Sequence, residues 1–321
     1  MSRKSWLIII AGVTIGSMFV CAGLFGLTLW FLDNISSDGS SALAFGDAVA
    51  IVRVEGVIVS GDAPPSSPFG GTDNMAYSQT IIKQLQTADE DEDVKAVILY
   101  VDSPGGSVYA SDEIYRQLMI MNKPVIAAMG SLAASGGYYV SAPTDEIWAS
   151  PHTLTCSIGV ISQFLNLEGF GEEYGVKTIT VKSGKFKDTG NPFKTFSEED
   201  RALWQDIIDE AYDGFVGIVA EGRNMEEATV RQLADGRICT GKQAQEMGFV
   251  DELGYLPEVI DRAAEVGGIE SAPRIIEYEK EPNIWDALSA SAAQPNDPLE
   301  SLKQMIHYHP GSSLMYLYVG P

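Results

Sequence analysis

The amino-acid sequence predicts an α/β fold with a mostly parallel sheet, preceded by one membrane-spanning helix. Residues 5–32 carry no charged side chain and are predominantly apolar. From residue 48 onward, stretches typical of strands alternate with stretches of helical periodicity. The run AVILYVD at residues 96–102 is continuously apolar up to its last residue. Such a run is typical of a parallel strand that is buried on both faces of its sheet.

The apolar run at residues 5–32 is long enough to cross a bilayer, because about 20 apolar residues suffice. Arg3 and Lys4 precede it and acidic residues follow it. The positive-inside rule therefore predicts a cytoplasmic N-terminus and an extracytoplasmic remainder. The alternative is a signal peptide cleaved after the sequence ALA at residues 42–44. We favour an uncleaved anchor, because a signal-peptide core normally has about 7–15 apolar residues and residues 42–44 lie well beyond the apolar run.

The remaining elements follow the same alternation along the chain. Strands are expected at residues 48–54, 56–61, 96–102, 124–129, 146–150, 157–161 and 178–182. Helices are expected at residues 75–88, 107–121, 133–142, 197–221, 225–234 and 241–247. The spacing of Ser197 and Asp200 predicts a capping box at the start of the long helix.

These elements predict five successive segments. They are a cytoplasmic N-terminus at residues 1–4, the transmembrane helix at 5–32, a Ser/Gly-rich linker at 33–46, the main domain at 47–272 and a peripheral C-terminal tail at 273–321.

Composition excludes several classes of function. The chain has 21 basic and 44 acidic residues, a formal net charge of −23, which excludes a general nucleic-acid binder. The three histidines and three cysteines are too few and too scattered for a metal centre or a disulfide scaffold. Because Cys21 lies in the apolar run, Cys156 and Cys239 leave at most one disulfide. We therefore predict no metal and no cofactor.

The first motif with a chemical implication is SPGGS at residues 103–107, between a predicted strand and a predicted helix. Gly105 and Gly106 would allow backbone N–H groups to approach an anion closely. A plain tight turn is the alternative interpretation.

The second motif is GSLAASGGYY at residues 130–139. Ser135 lies among small residues where a predicted strand leads into a helix, and the helix N-terminus would stabilise a developing oxyanion. Gly136 and Gly137 leave space for a substrate backbone. Ser135 is therefore a candidate nucleophile, with an ordinary helix cap as the alternative. Ser131 is the other candidate, although a capping role suits it better.

A nucleophilic serine needs a base. His152 falls in a predicted loop between strands, so Lys182, Lys185 and Lys187 are the stronger candidates. A lysine base must be neutral, which requires burial to lower its pKa from about 10.4 by several units. An exposed basic loop is the alternative for these three residues.

The chain resembles the signal peptide peptidase A (protease IV) family in its short, single-copy form. The resemblance spans about residues 46–270. It is carried by VDSPGGSV at 101–108, GSLAASGGYY at 130–139, SIGVI at 157–161, VKSGKFKD at 181–188 and GRICTGKQAQEMGFVDELG at 236–254.

The resemblance implies a Clp/crotonase-type α/β fold and a Ser/Lys dyad. Ser135 would be the nucleophile and Lys187 the general base. The oxyanion hole would comprise Gly105, Gly106 and Gly136. Ser131 and Gly137 would lie on the substrate side.

The implied function is a membrane-anchored serine endopeptidase that degrades residual signal peptides and other hydrophobic segments. The enzyme would lie in the plasma (inner) membrane with its catalytic domain on the extracytoplasmic (periplasmic) side. By analogy with tandem members of the family, Ser135 and Lys187 would meet between copies in a homo-oligomeric ring. The alternatives are an acyl-transfer enzyme on the same fold and a non-catalytic membrane scaffold.

Overall fold

The computed structural model describes residues 46–64, 74–278 and 314–318. The predicted anchor at residues 5–32 and nearly all of the linker at 33–46 lie outside the described residues. Among those that are described, no helix is both long and apolar enough to span a membrane.

The elements are numbered in chain order over the described residues. The strands are β1 (Ala48–Glu55), β2 (Val57–Val59), β3 (Met75–Tyr77), β4 (Val94–Ser103), β5 (Gly105–Ser107), β6 (Val125–Ala134), β7 (Glu146–Ala149), β8 (Leu154–Cys156), β9 (Ile238–Thr240), β10 (Glu252–Leu253), β11 (Arg274–Glu277) and β12 (Met315–Leu317). The helices are α1 (Ser78–Glu90), α2 (Val108–Met119), α3 (Gly136–Ser141), α4 (Glu168–Tyr174), α5 (Glu198–Gly222), α6 (Glu227–Leu233), α7 (Gly241–Glu246) and α8 (Leu256–Val266).

The main sheet has the strand order β10-β7-β6-β4-β1-β11, and all of these neighbours are parallel. The end of β6 also pairs with β8, which in turn pairs antiparallel with β9. The predicted α/β architecture with a mostly parallel sheet is therefore confirmed.

The central strands are apolar throughout because both faces of the sheet are covered. In β4, Val97 and Leu99 pack into the larger core cluster, whereas Ala96 and Ile98 pack into a smaller cluster beneath α8. All four are fully buried. Alternate side chains thus face different layers, and neither face of β4 requires polar residues.

A second, smaller sheet has the order β12-β5-β2-β3. Strand β5 runs parallel to β2 through Ile58 and Gly106, and antiparallel to β12. This sheet brings the SPGGS motif to the carboxyl end of β4, beside the junction of β6 and α3.

Helix α5 begins as predicted. The Ser197 hydroxyl accepts a hydrogen bond from the Asp200 amide, and the Asp200 carboxylate accepts one from the Ser197 amide. The capping box is confirmed, and it satisfies two of the N–H groups at the start of this 25-residue helix.

Three regions differ from the prediction. Residues 157–161 pair only through a bridge between Ile161 and Met315, and residues 178–182 form no strand and are exposed. Among the described residues, the apolar alternation at 178–182 has no neighbouring strand to pair with. Within the predicted tail, residues 274–277 form β11, residues 315–317 form β12 and Tyr316 is only 2% exposed, so these described residues belong to the two sheets.

Candidate active site

Ser135 lies at the junction between β6 and α3 and is only 1% exposed. Its amide donates to the Cys156 carbonyl at 2.8 Å, and its own carbonyl accepts the Tyr139 amide at 2.8 Å. The backbone turns sharply, with φ +53° and ψ −113°. A non-glycine residue adopts this conformation only where its surroundings enforce it, and such strain is concentrated at functional sites.

The three glycines of the predicted oxyanion hole pack against one another. A Cβ on Gly136 would lie 3.0 Å from both the Gly105 Cα and the Gly106 amide nitrogen, and 2.8 Å from the Ser111 Oγ. A Cβ on Gly105, whose φ is +93°, would lie 2.5 Å from the Gly136 nitrogen. The two motifs therefore meet backbone to backbone, which any side chain would prevent.

The amides of these glycines differ in their bonding. The Gly105 amide donates to the Ser103 Oγ at 3.0 Å, and the Ser103 hydroxyl donates to the Gly56 carbonyl at 2.6 Å. Gly105 thus shapes the turn, and its N–H is already bound. Gly106 is paired with Tyr316 in the antiparallel ladder between β5 and β12, whereas the Gly136 amide lies at the start of α3, directly after Ser135.

The surroundings of Ser131 and Gly137 differ from those of Ser135. The Ser131 hydroxyl is within 3.0 and 3.2 Å of the two Asp102 carboxylate oxygens, and Ser131 is exposed. Gly137 is buried, and a Cβ on it would lie 2.8 Å from the Ser103 carbonyl oxygen. Neither residue is among those that line the cavity at Ser135, and their role on the substrate side stays a prediction.

A cavity of about 420 Å³ adjoins Ser135. Its wall is mostly apolar, with two carboxylates, and it consists of Ser157, Ile158, Gly159, Val160, Ile161, Ile208, Asp209, Tyr212, Ala234, Asp235, Gly236 and Leu317. Residues 158–161 and α5 were not among the predicted site residues. Ile208 and Tyr212 are four residues apart, so helical periodicity could have indicated that they share one face.

An extended segment of the chain itself lies beside this cavity. In β12, Leu317 is opposite Gly105 and Tyr316 is opposite Gly106. On its other side, Met315 exchanges two backbone hydrogen bonds of 3.1 Å with Ile161. The space between β5 and residues 158–161 thus accommodates an extended backbone.

Lys187 is exposed and lies in the loop between α4 and α5. Within the described residues, no hydrogen bond joins it to Ser135 and no carboxylate pairs with its ammonium group. The neighbouring lysines are engaged, since Lys182 and Lys194 bind Asp188 at 2.5 and 3.1 Å, and Lys185 pairs with Glu199. These hydrogen bonds, led by the one from Lys182, hold the pKa of Asp188 below its ordinary value.

The other predicted base candidate, His152, lies in an exposed turn between β7 and β8. Its amide donates to the Ser150 Oγ at 3.1 Å. The described residues contain no cluster of His, Cys, Asp and Glu that could hold a metal ion.

The segment between β8 and α5 exposes many apolar side chains. We call residues 165–187 the arm. Ile179 and Val181 are 94% and 97% exposed, and Leu165, Phe170 and Tyr174 are each more than half exposed. A soluble monomer rarely concentrates so much apolar surface in one place, so the arm has the character of an interaction surface.

Fold and site together define a serine peptidase on a Clp protease-like α/β fold, and comparisons with known proteins support this class. The family model for peptidase family S49 matches residues 118–270, and that for Clp protease matches residues 69–154. The chain belongs to peptidase family S49.

Individual relatives agree with this assignment. A putative signal peptide peptidase SppA of Enterococcus faecium is 38% identical over 257 residues, covering 75% of this chain and 74% of the relative. A putative protease of Synechocystis is 36% identical, with 69% and 75% covered. Protease 4 of Haemophilus influenzae is 37% identical over 222 residues, which cover 68% of this chain but 34% of that longer protein.

Proposed function

We propose that this serine peptidase is a membrane-anchored endopeptidase with a Ser135–Lys187 dyad, and that it degrades residual signal peptides and other hydrophobic peptides. The observation that carries the proposal is the setting of Ser135. It is a strained, buried serine at the start of α3, next to the point where Gly136 packs against the Gly105–Gly106 turn, and it adjoins a mostly apolar cavity. A helix cap needs none of these features.

The proposed reaction begins with attack of the Ser135 Oγ on the scissile carbonyl carbon, while neutral Lys187 accepts the hydroxyl proton. The N–H groups of Gly106 and Gly136 stabilise the charge on the carbonyl oxygen. The C–N bond then breaks, Lys187 gives its proton to the leaving amine, and an acyl-enzyme remains. Lys187 next takes a proton from a water molecule as it attacks the ester carbonyl, and it returns this proton to the Ser135 Oγ when the ester C–O bond breaks.

We further propose that Lys187 acts on the Ser135 of a second copy. Three observations favour this arrangement: Lys187 is exposed, no bond in the described structure links it to Ser135, and the arm that carries it is rich in exposed apolar side chains. Burial between copies would favour the neutral amine that a base requires. A repeated interface of this head-to-tail kind closes into a ring.

The substrate class follows from the groove between β5 and residues 158–161. Because β12 lies there as an extended strand, the groove is suited to a peptide backbone bound through main-chain hydrogen bonds. The mostly apolar cavity suits the side chains of hydrophobic segments. The Enterococcus relative carries the name of a signal peptide peptidase, which agrees with such substrates.

The anchor at residues 5–32 lies outside the described residues, and its assignment rests on the sequence. An uncleaved helix would hold the peptidase domain at the extracytoplasmic face of the plasma membrane, close to peptides left in the bilayer.

A fluorophosphonate probe and a fluorogenic hydrophobic peptide test the proposal. The wild type should be labelled and should cleave the peptide, and Ser135→Ala should abolish both. Ser131→Ala is the matched control and should keep both. Lys187→Ala should abolish cleavage, whereas Lys182→Ala and Lys185→Ala should retain it. A Ser135→Ala enzyme that still cleaves the peptide would exclude this mechanism, and loss of cleavage on replacing Lys182 instead of Lys187 would reassign the base.

A further inference from the structure

A disulfide bond joins Cys156 and Cys239 next to the nucleophile. Cys156 is the last residue of β8 and Cys239 is the middle residue of β9. Both are almost fully buried, their Cα atoms are 5.6 Å apart, and 83 positions of sequence separate them. The bond therefore connects distant parts of the chain at a point where two short strands pair.

The Cys156 carbonyl is the acceptor for the Ser135 amide, at 2.8 Å. On the next residue, the Ser157 amide donates to the Arg237 carbonyl at 2.8 Å. A short chain of backbone hydrogen bonds thus leads from the nucleophile to β8 and on to the residues that precede β9. The disulfide covalently links the last two parts of this chain.

The backbone that the disulfide restrains is strained. Ser135, Cys156 and Ser157 have φ values of +53°, +65° and +51°, and none of the three is a glycine. A positive φ is unfavourable for an L-residue and persists only where neighbouring contacts enforce it. Because β8 and β9 have only three residues each, few hydrogen bonds between the strands are available to enforce these positive φ values.

The same bond also connects the two walls of the cavity. One wall, residues 157–161, directly follows Cys156, and the other, residues 234–236, lies shortly before Cys239. A change in the distance between β8 and β9 would therefore alter both the support of Ser135 and the width of the cavity.

We propose that the Cys156–Cys239 disulfide is a positioning element for catalysis, which fixes the Cys156 carbonyl and thereby the backbone of Ser135. It takes no part in the chemistry. The inference depends on the proposed role of Ser135 as nucleophile. A small displacement of a reacting group can reduce the rate by a factor of 10², so loss of this restraint should slow acylation more than it weakens substrate binding.

The test compares wild type with Cys156→Ala, Cys239→Ala and the double variant, all well below their unfolding temperatures. We expect kcat and the fluorophosphonate labelling rate of Ser135 to fall about ten-fold or more, with KM changed less than three-fold. The three variants should behave alike, because each breaks the same bond. Val259→Ala is the control for stability alone, since Val259 is a buried residue of α8 in the other core cluster. It should lower the unfolding temperature and leave kcat unchanged.

Two further measurements cover the case in which an alanine variant fails to fold. Cys239→Val keeps a buried apolar side chain with high β-propensity in β9 and should still show the loss of kcat. Reduction of the wild type by a phosphine should lower the activity in proportion to the thiols titrated, and reoxidation should restore it.

Folded variants or reduced enzyme with the kcat and labelling rate of the wild type would overturn the inference, leaving the disulfide a purely stabilising bond. That result is distinct from a failure of the proposed function, in which Ser135→Ala would retain activity and the wild type would not be labelled at Ser135.

Discussion

The central residue of this site is Ser135, whose chemistry depends on what its backbone is forced to do. The strand–helix junction gives it a positive φ, and the Cys156 carbonyl and the Tyr139 amide fix both of its peptide groups. The neighbouring glycines are required for a different reason, because their backbones come too close to one another to leave space for a Cβ.

Gly136→Ala tests this close approach. The added Cβ would press on Ser111 Oγ, Gly105 Cα and the Gly106 nitrogen, all within 3.0 Å, and would separate the two amides proposed to bind the oxyanion. We expect kcat to fall about 10²–10³-fold, as when one oxyanion donor is lost, and steady-state kinetics measures this directly.

The control is Gly214→Ala in α5, where an added Cβ meets no atom within 4 Å. It should keep full activity and slightly raise the unfolding temperature, because alanine favours a helix over glycine. A Gly136→Ala enzyme with normal kcat would show that the oxyanion is bound elsewhere.

At the scale of elements, the start of α5 fixes the segment that carries Lys187 to the domain. Asp200 is buried and accepts hydrogen bonds from the Ser197 and Thr189 hydroxyl groups. These bonds, with that from Ser197 the largest, lower the pKa of Asp200 to about 2. Thr189 follows Lys187 by two residues, so the capping box also anchors the end of the lysine loop.

Asp200→Asn should therefore reduce stability in a pH-dependent way. A carboxylate with a lowered folded-state pKa stabilises the protein above its unfolded-state pKa, and the benefit is lost as the pH falls towards 2. We expect a loss of about 1 kcal/mol at pH 7, or roughly 2–4 °C in unfolding temperature. The difference from wild type should shrink between about pH 4 and pH 2. Asp206→Asn, at an exposed position of the same helix, should cause little change at any pH; a difference for Asp200→Asn that does not vary with pH would contradict the assignment.

Some of these secondary-structure elements could be predicted from the sequence, and others could not. The strand at residues 96–102 and the capping box of α5 were predictable, because burial on both faces and local hydrogen bonding leave direct patterns. The strand expected at residues 178–182 was wrong, since alternation alone supplies no partner strand. The pairing of β12 with β5 joins segments about 210 residues apart, which no local pattern encodes.

In the candidate site, too, some features could be predicted from the sequence and others could not. The motifs predicted that Ser135, Gly105, Gly106 and Gly136 would meet, and their backbones do so. The role of Ser131 and Gly137 on the substrate side stays a prediction, while the Ser131 hydroxyl binds the Asp102 carboxylate and a side chain at Gly137 would meet the Ser103 carbonyl. The support of Ser135 by Cys156 depends on a main-chain carbonyl, which residue types do not indicate.

At the scale of the whole molecule, the arm predicts association. Ile179→Asp and Val181→Asp each place a charge on a side chain that is almost fully exposed in the single chain. The fold of the chain should be unaffected, whereas an interface formed by these residues should be lost. We expect smaller particles by sedimentation and at least a ten-fold loss of peptidase activity, at an unchanged unfolding temperature of the monomeric domain.

Ile120→Asp is the matched control, since Ile120 is 69% exposed at the end of α2, outside the arm. It should retain both assembly and activity. Assemblies of normal size and activity in the arm variants would show that the arm is not the interface.

The central claim, a Ser135–Lys187 dyad shared between copies, is tested most directly by mixing two inactive variants, Ser135→Ala and Lys187→Ala, under conditions that allow subunit exchange. In a ring, each site would take Ser135 from one copy and Lys187 from the next. An equal, random mixture should then restore about one quarter of the wild-type activity, because one junction in four joins two intact residues. Mixing the double variant with either single variant should restore none. Failure to recover activity, with mixed assemblies demonstrated, would contradict the account and require each dyad to form within one chain.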